Sequence, residues 1–305
     1  MYISIAGTIG KSGIIPQELD GANLTENACK LVYKNKDILN KYIYYYTQTN
    51  IFAEQIFDKT KMAAMPKLAL TRLATVKLLV PPLPEQERIV AKLDKAFEAI
   101  DKVKANAEQN LNNAKELFKS ALDKAFTENT EGWEEKTLGE VLNKVKYTSK
   151  IQSKLYKDKG KYPIISQEDV FISGYWDDDK DVYHVMHPIV IFGDHTKVVK
   201  YIDFDFVLGA DGVKILDPTK DINAKFLYYW TKYVPLRNLG YARHYKLLSE
   251  KTIHFPPLPE QQRIVAKLDK LQEQTKQLET IYTKKIKECD ELKQSILQKA
   301  FRGEL

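Results

Sequence analysis

Two stretches of the chain place apolar residues three and four positions apart over an unusual length. Residues 85–126 contain neither Gly nor Pro, and their apolar positions begin with Ile89, Leu93, Phe97 and Ile100. The same spacing returns over residues 264–300. This pattern predicts two amphipathic helices of about 40 residues, each about 60 Å long at 1.5 Å per residue. Because a single helix of this length would leave its apolar stripe in water, we expect the two helices to pack on each other.

Both helices belong to a duplicated segment. The sequence PPLPEQERIVAKLD at residues 81–94 returns as PPLPEQQRIVAKLD at residues 256–269, an offset of 175 residues (256 − 81). The helix ends, SALDKAF from Ser120 and SILQKAF from Ser295, keep the same offset. A repeat this long indicates a duplicated domain-plus-helix module, not a solenoid unit. If the residues between the helices form a compact domain with neighbouring ends, the helices run antiparallel.

The segment that separates the helices, residues 132–255, alternates short β-rich runs with Gly and Asp-Pro turns. The runs at 164–165, 188–192, 198–202 and 213–216, with a helix at 224–233, predict a mixed α/β domain. The first domain has a matching helix at 37–57 and a matching strand and glycine turn at 2–7. Gly7 aligns with Gly193 at an offset of 186 (193 − 7), which places the counterpart of Trp133 before Met1. We therefore expect the first domain to lack about its opening 50 residues and the chain to be cut off at its N-terminus.

Composition narrows the class of protein further. The 305 residues carry a formal net charge of +6, which is compatible with nucleic acid but also with many other partners. The two cysteines, Cys29 and Cys289, exclude a disulfide framework and fit a reducing compartment. No apolar run is long enough to span a bilayer, and the first residues lack the charged start of a signal peptide. These features predict a cytoplasmic protein.

The doubled PPLPEQ-x-R-I-V motif, each copy followed by a long helix ending in KAF, closely resembles the specificity subunits of type I restriction–modification systems. The tail FRGEL at 301–305 and the opening WEEKTLGE at 133–140 resemble that family as well. The resemblance implies α/β target recognition domains, one partial and one complete, separated by an antiparallel, coiled-coil-like pair of long α-helices. The corresponding boundaries are 1–80 (partial first recognition domain), 81–131 (first spacer helix), 132–255 (second recognition domain) and 256–305 (second spacer helix).

The same resemblance implies a function without catalysis. Each recognition domain would bind one half of a split DNA site, and the helices would set the spacing and bind two methyltransferase subunits, to which endonuclease subunits add. S-adenosylmethionine, ATP and Mg²⁺ are expected on those partner subunits, and this chain is expected to hold no cofactor or metal. Partner contacts are expected at the start of each helix, namely at Pro81, Pro82, Glu85, Gln86 and Arg88 and at Pro256, Pro257, Glu260, Gln261 and Arg263.

Candidate DNA contacts combine cations with aromatic and polar side chains, which suit phosphates, sugars and base edges. The strongest cluster comprises Arg237, Tyr241, Arg243, His244, Tyr245 and Lys246. A second follows the Gly193 turn and comprises His195, Thr196, Lys197 and Lys200; weaker candidates in the first domain are Lys11, Lys61 and Lys67. The alternative for each group is an ordinary solvated turn or face. Residues 7–11 lack the spacing of a phosphate-binding loop, which excludes nucleotide binding there.

Two rival functions remain open. A truncated or silent specificity cassette would act only as a protein-interaction scaffold, without independent recognition of the full site. A stand-alone nuclease would need metal-binding carboxylates, and the acidic run at 177–181 lacks the upstream acidic partner of such a site. An acidic surface turn is the better interpretation of that run.

Overall fold

The computed structural model describes residues 1–19, 21–34, 37–60, 66–210, 212–237, 240 and 242–305. Its strands are β1 (Tyr2–Ser4), β2 (Ser12–Gly13), β3 (Ala28–Lys30), β4 (Glu134–Thr137), β5 (Tyr162–Ile165), β6 (Gly174–Trp176), β7 (Val182–Tyr183), β8 (Ile189–Gly193), β9 (Val199–Ile202), β10 (Phe206–Leu208), β11 (Val213–Leu216) and β12 (Thr252–Phe255). Its helices are α1 (Asn40–Thr47), α2 (Asn50–Lys59), α3 (Leu70–Leu73), α4 (Leu83–Thr127), α5 (Ala224–Tyr233), α6 (Tyr245–Ser249) and α7 (Leu258–Arg302). Within the described ranges, none of the helices has the length and apolar character needed to cross a membrane.

The chain forms two compact units, and both long helices contribute to each. Unit 1 comprises Met1–Asn112 and Thr280–Leu305, and unit 2 comprises Asn113–Glu279. The predicted long helices are confirmed, each with 45 residues.

The two long helices pack antiparallel. In unit 1, Lys104 Nζ lies 2.6 Å from Asp290 Oδ1, and a second ion pair joins Asp101 to Lys293. Residue numbers therefore rise along α4 as they fall along α7, which is the antiparallel arrangement that the connectivity predicted. Fewer apolar residues are buried between the helices than the sequence pattern predicted, since Val103, Leu278 and Leu292 are more than a third exposed. A helix pair buries one seam, and apolar residues that flank the seam stay in contact with water.

Unit 2 stacks one sheet between a helical layer and a second sheet. The central sheet has the order β11-β8-β9, and every residue of β8 is buried. Val190 and Phe192 face α5 and the long helices, whereas Ile189 and Ile191 face the sheet β6-β5-β10-β7. This alternation follows from the two-residue period of a strand. The predicted strands 164–165, 188–192, 198–202 and 213–216 and the helix 224–233 are all present to within two residues.

Unit 1 repeats part of this design. Its sheet has the order β2-β1-β3, and Ile3 and Ile5 pack on Phe52 and Ile56 of α2. The single helix predicted at 37–57 is wrong, because the chain forms α1 and α2 with a break before Asn50. Thr49 is extended there, and its side chain accepts a hydrogen bond from Phe52 N, so it caps the second helix.

Candidate nucleic-acid interface

A tight turn follows β8 and carries three of the predicted DNA contacts. Gly193 N donates to Val198 O, and Lys197 N donates to Gly193 O, both at 2.8 Å. A Cβ atom on Gly193 would lie 2.3 Å from Thr196 Oγ1, so only glycine fits at this position. The turn leaves Thr196 exposed and keeps His195 and Lys197 half-buried.

Asp194 joins this turn to the second predicted contact segment, residues 237–246. Its backbone carbonyl accepts a hydrogen bond from His244 N at 2.7 Å, and its Oδ1 accepts one from Tyr245 N at 2.8 Å. Lys214 Nζ lies 3.8 Å from Asp194 Oδ2. The carboxylate is 3% exposed, so it acts as a buried connector between the turn and the start of α6. Two groups of residues that are about fifty positions apart in the sequence thus lie side by side.

The basic segment divides into exposed and buried members. The side chains of Arg237, Arg243 and Lys246 are exposed. Tyr245 is half-buried, with Lys214 Nζ 5.3 Å from its ring centre, and burial raises the pKa of its hydroxyl. His244 is fully buried beside Asp194, which gives it a packing role in place of the expected DNA contact. Tyr241 lies outside the described residues.

Lys200 is buried and holds a loop in place, whereas the sequence analysis expected it to contact a phosphate. Its side chain points into unit 2, where Nζ donates to the carbonyls of Ser166, Val170 and Phe171 at 2.9, 2.6 and 3.3 Å. Burial lowers the pKa of Lys200 to about 8, although Glu168 and Asp169 act in the opposite direction. The sequence pattern placed Lys200 beside the turn correctly, but strand alternation turns its side chain inward.

The loop that Lys200 holds supports the turn after β8. Gln167 Oε1 accepts a hydrogen bond from His195 N at 3.0 Å, and Gln167 O accepts one from Thr196 Oγ1 at 2.6 Å. Next to this contact lies a cleft of about 570 Å³, whose lining includes Asp169, Phe171, Thr196, Lys197, Lys232 and Leu236. The sequence analysis did not identify Gln167 as a support of this turn, because nothing in its local pattern indicates a partner about thirty residues away.

The weaker candidates in unit 1 lie near the end of β1. Lys11 is exposed, and its carbonyl accepts a hydrogen bond from Ser4 N at 2.7 Å. Lys67 is also exposed and forms an antiparallel bridge with Ala6. The fold therefore brings both lysines to the same strand end. Lys61 lies outside the described residues.

The repeated PPLPEQ motif divides into an inward and an outward part. Gln86 is fully buried: its Oε1 accepts from Leu39 N at 2.9 Å, and its Nε2 donates to Asp37 O and Pro81 O at 2.9 and 2.8 Å. Gln261 makes the equivalent three bonds, from Asn223 N and to Asp221 O and Pro256 O, all at 2.8 Å. The two glutamines therefore connect the long helices to the short helices α1 and α5. This position gives them an internal role in place of the expected partner contact.

The outward part carries a charged pair in each copy. Arg88 donates to Glu85 through Nε and Nη2 at 2.7 and 2.6 Å, and Arg263 makes the same two-point contact with Glu260. The hydrogen bond from the guanidinium lowers the pKa of Glu85 and of Glu260. Pro82 and Pro257 are exposed beside these pairs, whereas Pro81 is half-buried and Pro256 is buried. The exposed members form a similar surface at the start of each long helix.

A second internal connection was not predicted from the sequence. Asp94 accepts hydrogen bonds from Tyr45 at 2.5 Å and Lys41 at 2.7 Å, and Asp269 accepts from Tyr229 and Lys225 at 2.5 and 2.8 Å. Burial raises the pKa of Tyr45, and the hydrogen bond to Asp94 raises it further. The signal was present, since Lys-x-x-x-Tyr recurs with an offset of 184 residues (225 − 41).

The acidic run in unit 2 is a surface turn. Asp177 accepts hydrogen bonds from Lys157 Nζ and Lys161 N, and Asp179 pairs with Lys161 Nζ at 2.7 Å. Across the described part of the chain, no three His, Cys, Asp or Glu side chains are grouped to hold a metal ion.

Known proteins resemble this chain in sequence and in fold. The sequence model described as "Type I restriction modification DNA specificity domain" matches residues 1–113 and 130–288. The specificity subunit of the type I restriction enzyme EcoR124I/EcoR124II from Escherichia coli is 30% identical over 88 residues. That match covers 28% of this chain and only 22% of the relative's length.

Two solved structures share the fold. One, from work on complex assembly and conformational transition of the type I R-M system, has a TM-score of 0.78 and 24% identity, covering 96% of this chain and 78% of its own. The HsdS subunit from Thermoanaerobacter tengcongensis has a TM-score of 0.52 and 23% identity, covering 87% and 70%. Because the family model matches both copies of the duplicated module, this chain belongs to the type I restriction modification DNA specificity domain family.

Proposed function

We propose that this chain is the DNA-recognition subunit of a type I restriction–modification complex. Residues 132–255 form its complete recognition domain and bind one half of a split DNA site. Residues 1–80 belong to the other half, and the segments 81–131 and 256–305 are the spacer helices. The chain itself is not an enzyme; S-adenosylmethionine, ATP and Mg²⁺ are held by the partner methyltransferase and endonuclease subunits.

The buried Asp194 connection is the observation that carries this proposal. It fixes the turn with Thr196 and Lys197 against the segment with Arg243 and Lys246. Two exposed cations and a hydroxyl on a rigid support suit a duplex, because phosphate contacts set the register from which side chains reach the base edges. We place the DNA contacts at Thr196, Lys197, Arg237, Arg243, Tyr245 and Lys246.

The charged pairs at the starts of the long helices are proposed to bind the methyltransferase subunits. Each pair, Glu85 with Arg88 and Glu260 with Arg263, lies in the same local setting of the duplicated motif. Two similar surfaces on one chain favour two copies of the same partner. Each copy of the duplicated module would then bind one half-site and one methyltransferase subunit.

Binding to duplex DNA, measured with the methyltransferase partner present, tests the proposal. The variant Arg243→Ala/Lys246→Ala should weaken binding. It should also lower the slope of log Kd against log salt concentration by about 2, because two phosphate contacts are removed. Lys270→Ala/Lys276→Ala, which removes two exposed lysines of α7, is the matched control and should keep the wild-type slope.

The protein-interaction scaffold is the alternative outcome. Retention of the methyltransferase without any sequence-dependent retention of DNA would favour the scaffold. Unchanged DNA binding by the Arg243→Ala/Lys246→Ala variant would remove the proposed contact surface.

A further inference from the structure

Residues 77–80 of unit 1 occupy the place in the repeat that strand β12 occupies in unit 2. The 175-residue offset aligns Lys77 with Thr252 and Val80 with Phe255, and both segments run directly into the PPLPEQ motif. In unit 2, all four residues of β12 pair antiparallel with β4. Within the described residues, segment 77–80 has no strand paired with it.

The apolar side chains of the two segments differ in exposure. In β12, Ile253 and Phe255 are 0% and 3% exposed. In segment 77–80, Val80, the counterpart of Phe255, is 44% exposed, and Leu78, the counterpart of Ile253, is half-buried. Leu79 is 81% exposed, but it corresponds to His254, which is exposed in unit 2 as well. At Val80, unit 1 therefore leaves exposed an apolar position that unit 2 covers.

The backbone of segment 77–80 is oriented to accept a strand. The carbonyls of Lys77 and Leu79 accept hydrogen bonds from the hydroxyls of Tyr46 and Tyr42 at 2.6 and 2.9 Å. In an extended chain, alternate residues direct their N–H and C=O groups to opposite edges, so Leu78 and Val80 direct theirs away from the tyrosines. In unit 2 the corresponding edge faces β4, where Ile253 lies opposite Lys136 and Phe255 opposite Glu134.

The residues that cover β12 in unit 2 also indicate what would cover segment 77–80. Trp133 precedes β4 and lies 6.2 Å from the ring of Phe226, which itself lies 5.2 Å from Phe126. Leu138 follows β4 and is fully buried. By the repeat offsets, the counterparts of Phe226 and Phe126 are Tyr42 and Phe301, whose rings are 5.0 Å apart. An aromatic residue at the start of an added strand would meet the Tyr42–Phe301 pair, as Trp133 meets its counterpart pair in unit 2.

We propose that residues 77–80 bind one extended, antiparallel strand of the chemical type of residues 133–138, WEEKTL. The strand's backbone pairs with Leu78 and Val80, its tryptophan packs near Tyr42 and Phe301, and its leucine covers the apolar edge. Addition of a strand to an open edge is a general mode of peptide recognition, in which the backbone gives affinity and alternate side chains give specificity. This binding does not depend on the proposed DNA contacts.

A labelled peptide with the sequence of residues 131–141, EGWEEKTLGEV, tests the proposal against the full chain. Fluorescence anisotropy should show saturable binding, and hydrogen exchange should slow at the amides of Leu78 and Val80. Replacing the peptide's tryptophan by alanine should weaken binding at least tenfold. The variant Val80→Glu should do the same, whereas Leu70→Glu, at another exposed leucine of unit 1, should bind like the wild type.

Three results with the peptide would overturn the proposal. These are absence of saturable peptide binding, binding that Val80→Glu leaves unchanged, and exchange protection confined to β12 of unit 2. A concentration-dependent dimer that Val80→Glu abolishes, without any peptide binding, would identify a second copy of the chain as the occupant and would also overturn it.

Discussion

The hydroxyl of Tyr229 donates a hydrogen bond to Asp269 at 2.5 Å and so joins the short helix α5 to the long helix α7. Tyr229 is fully buried, and the same carboxylate accepts a hydrogen bond from Lys225. We expect Tyr229→Phe to lower the free energy of unfolding by about 2 kcal/mol, because it removes a hydrogen bond to a charged group. Urea unfolding measures this change. Tyr228→Phe, at a neighbouring tyrosine whose hydroxyl contacts the exposed Lys232, is the control, and a loss of the same size there would contradict the assignment.

The buried glutamines should be among the most sensitive positions in the chain. Gln86→Leu removes three hydrogen bonds and leaves the backbone groups of Asp37, Leu39 and Pro81 without them. Because unsatisfied buried groups are costly, we expect a loss of at least about 2 kcal/mol in unfolding free energy. The neighbouring exposed residue provides the control Glu87→Gln, expected to change stability by less than about 0.5 kcal/mol. Equal effects of the two substitutions would show that the connection contributes little.

Lys200 predicts a distinctive dependence of stability on pH. Its pKa of about 8 lies below the ordinary value of 10.5, so between these pH values the unfolded chain binds a proton that the folded chain lacks. The free energy of unfolding should therefore rise with pH across this window, by up to about 3 kcal/mol. Lys200→Met removes the titrating group, so the stability of the wild type relative to this variant should increase from pH 7 to pH 10.

Denaturant unfolding at several pH values measures this difference. The exposed Lys246→Met variant is the control, because it removes a lysine from the surface instead of from the interior. A Lys200→Met difference that is constant, or that falls as the pH rises, would contradict the prediction.

The outward charged pairs should affect assembly without affecting stability. Arg263 is exposed and Glu260 is partly exposed, and ion pairs in contact with water contribute little to folding. Arg263→Glu should therefore leave the unfolding transition nearly unchanged and weaken binding of the methyltransferase at least tenfold through charge reversal. Co-purification and calorimetry measure the binding. Lys284→Glu, further along the same helix, is the control; loss of partner binding in both variants would indicate a general charge effect.

Much of the fold could be predicted from the sequence because its signals are local. The spacing of Ile89, Leu93 and Ile100 and the absence of Gly and Pro determine a long helix, and the glycine turns delimit β8 and β11. The antiparallel direction followed from connectivity. The short strands β2, β3, β4, β6, β7, β10 and β12 were not predicted, because two to four residues carry too little pattern to separate a strand from a loop.

The candidate site was less predictable, since side-chain direction decides it. Lys200 and Lys197 have the same chemistry in the sequence, but one is buried among carbonyls and the other lies in a turn with a positive φ of 61°. Gln86 and Glu85 are adjacent in a motif expected to face a partner, yet only Glu85 faces outward. Which neighbour turns inward depends on contacts with Asp37 and Leu39, residues that no spacing rule connects to the motif.

Gln86 and Asp94 are eight residues apart on α4, as Gln261 and Asp269 are on α7, so each short helix is pinned at two points about 12 Å apart. Contacts at two points prevent the short helix from rotating against the long helix, whereas a single contact would allow that rotation. One extra residue between them would turn one pin by about 100° relative to the other, so that both could not engage together. Insertions and deletions between these pins should therefore be far rarer among natural variants than changes along the helix beyond Asp94 or Asp269.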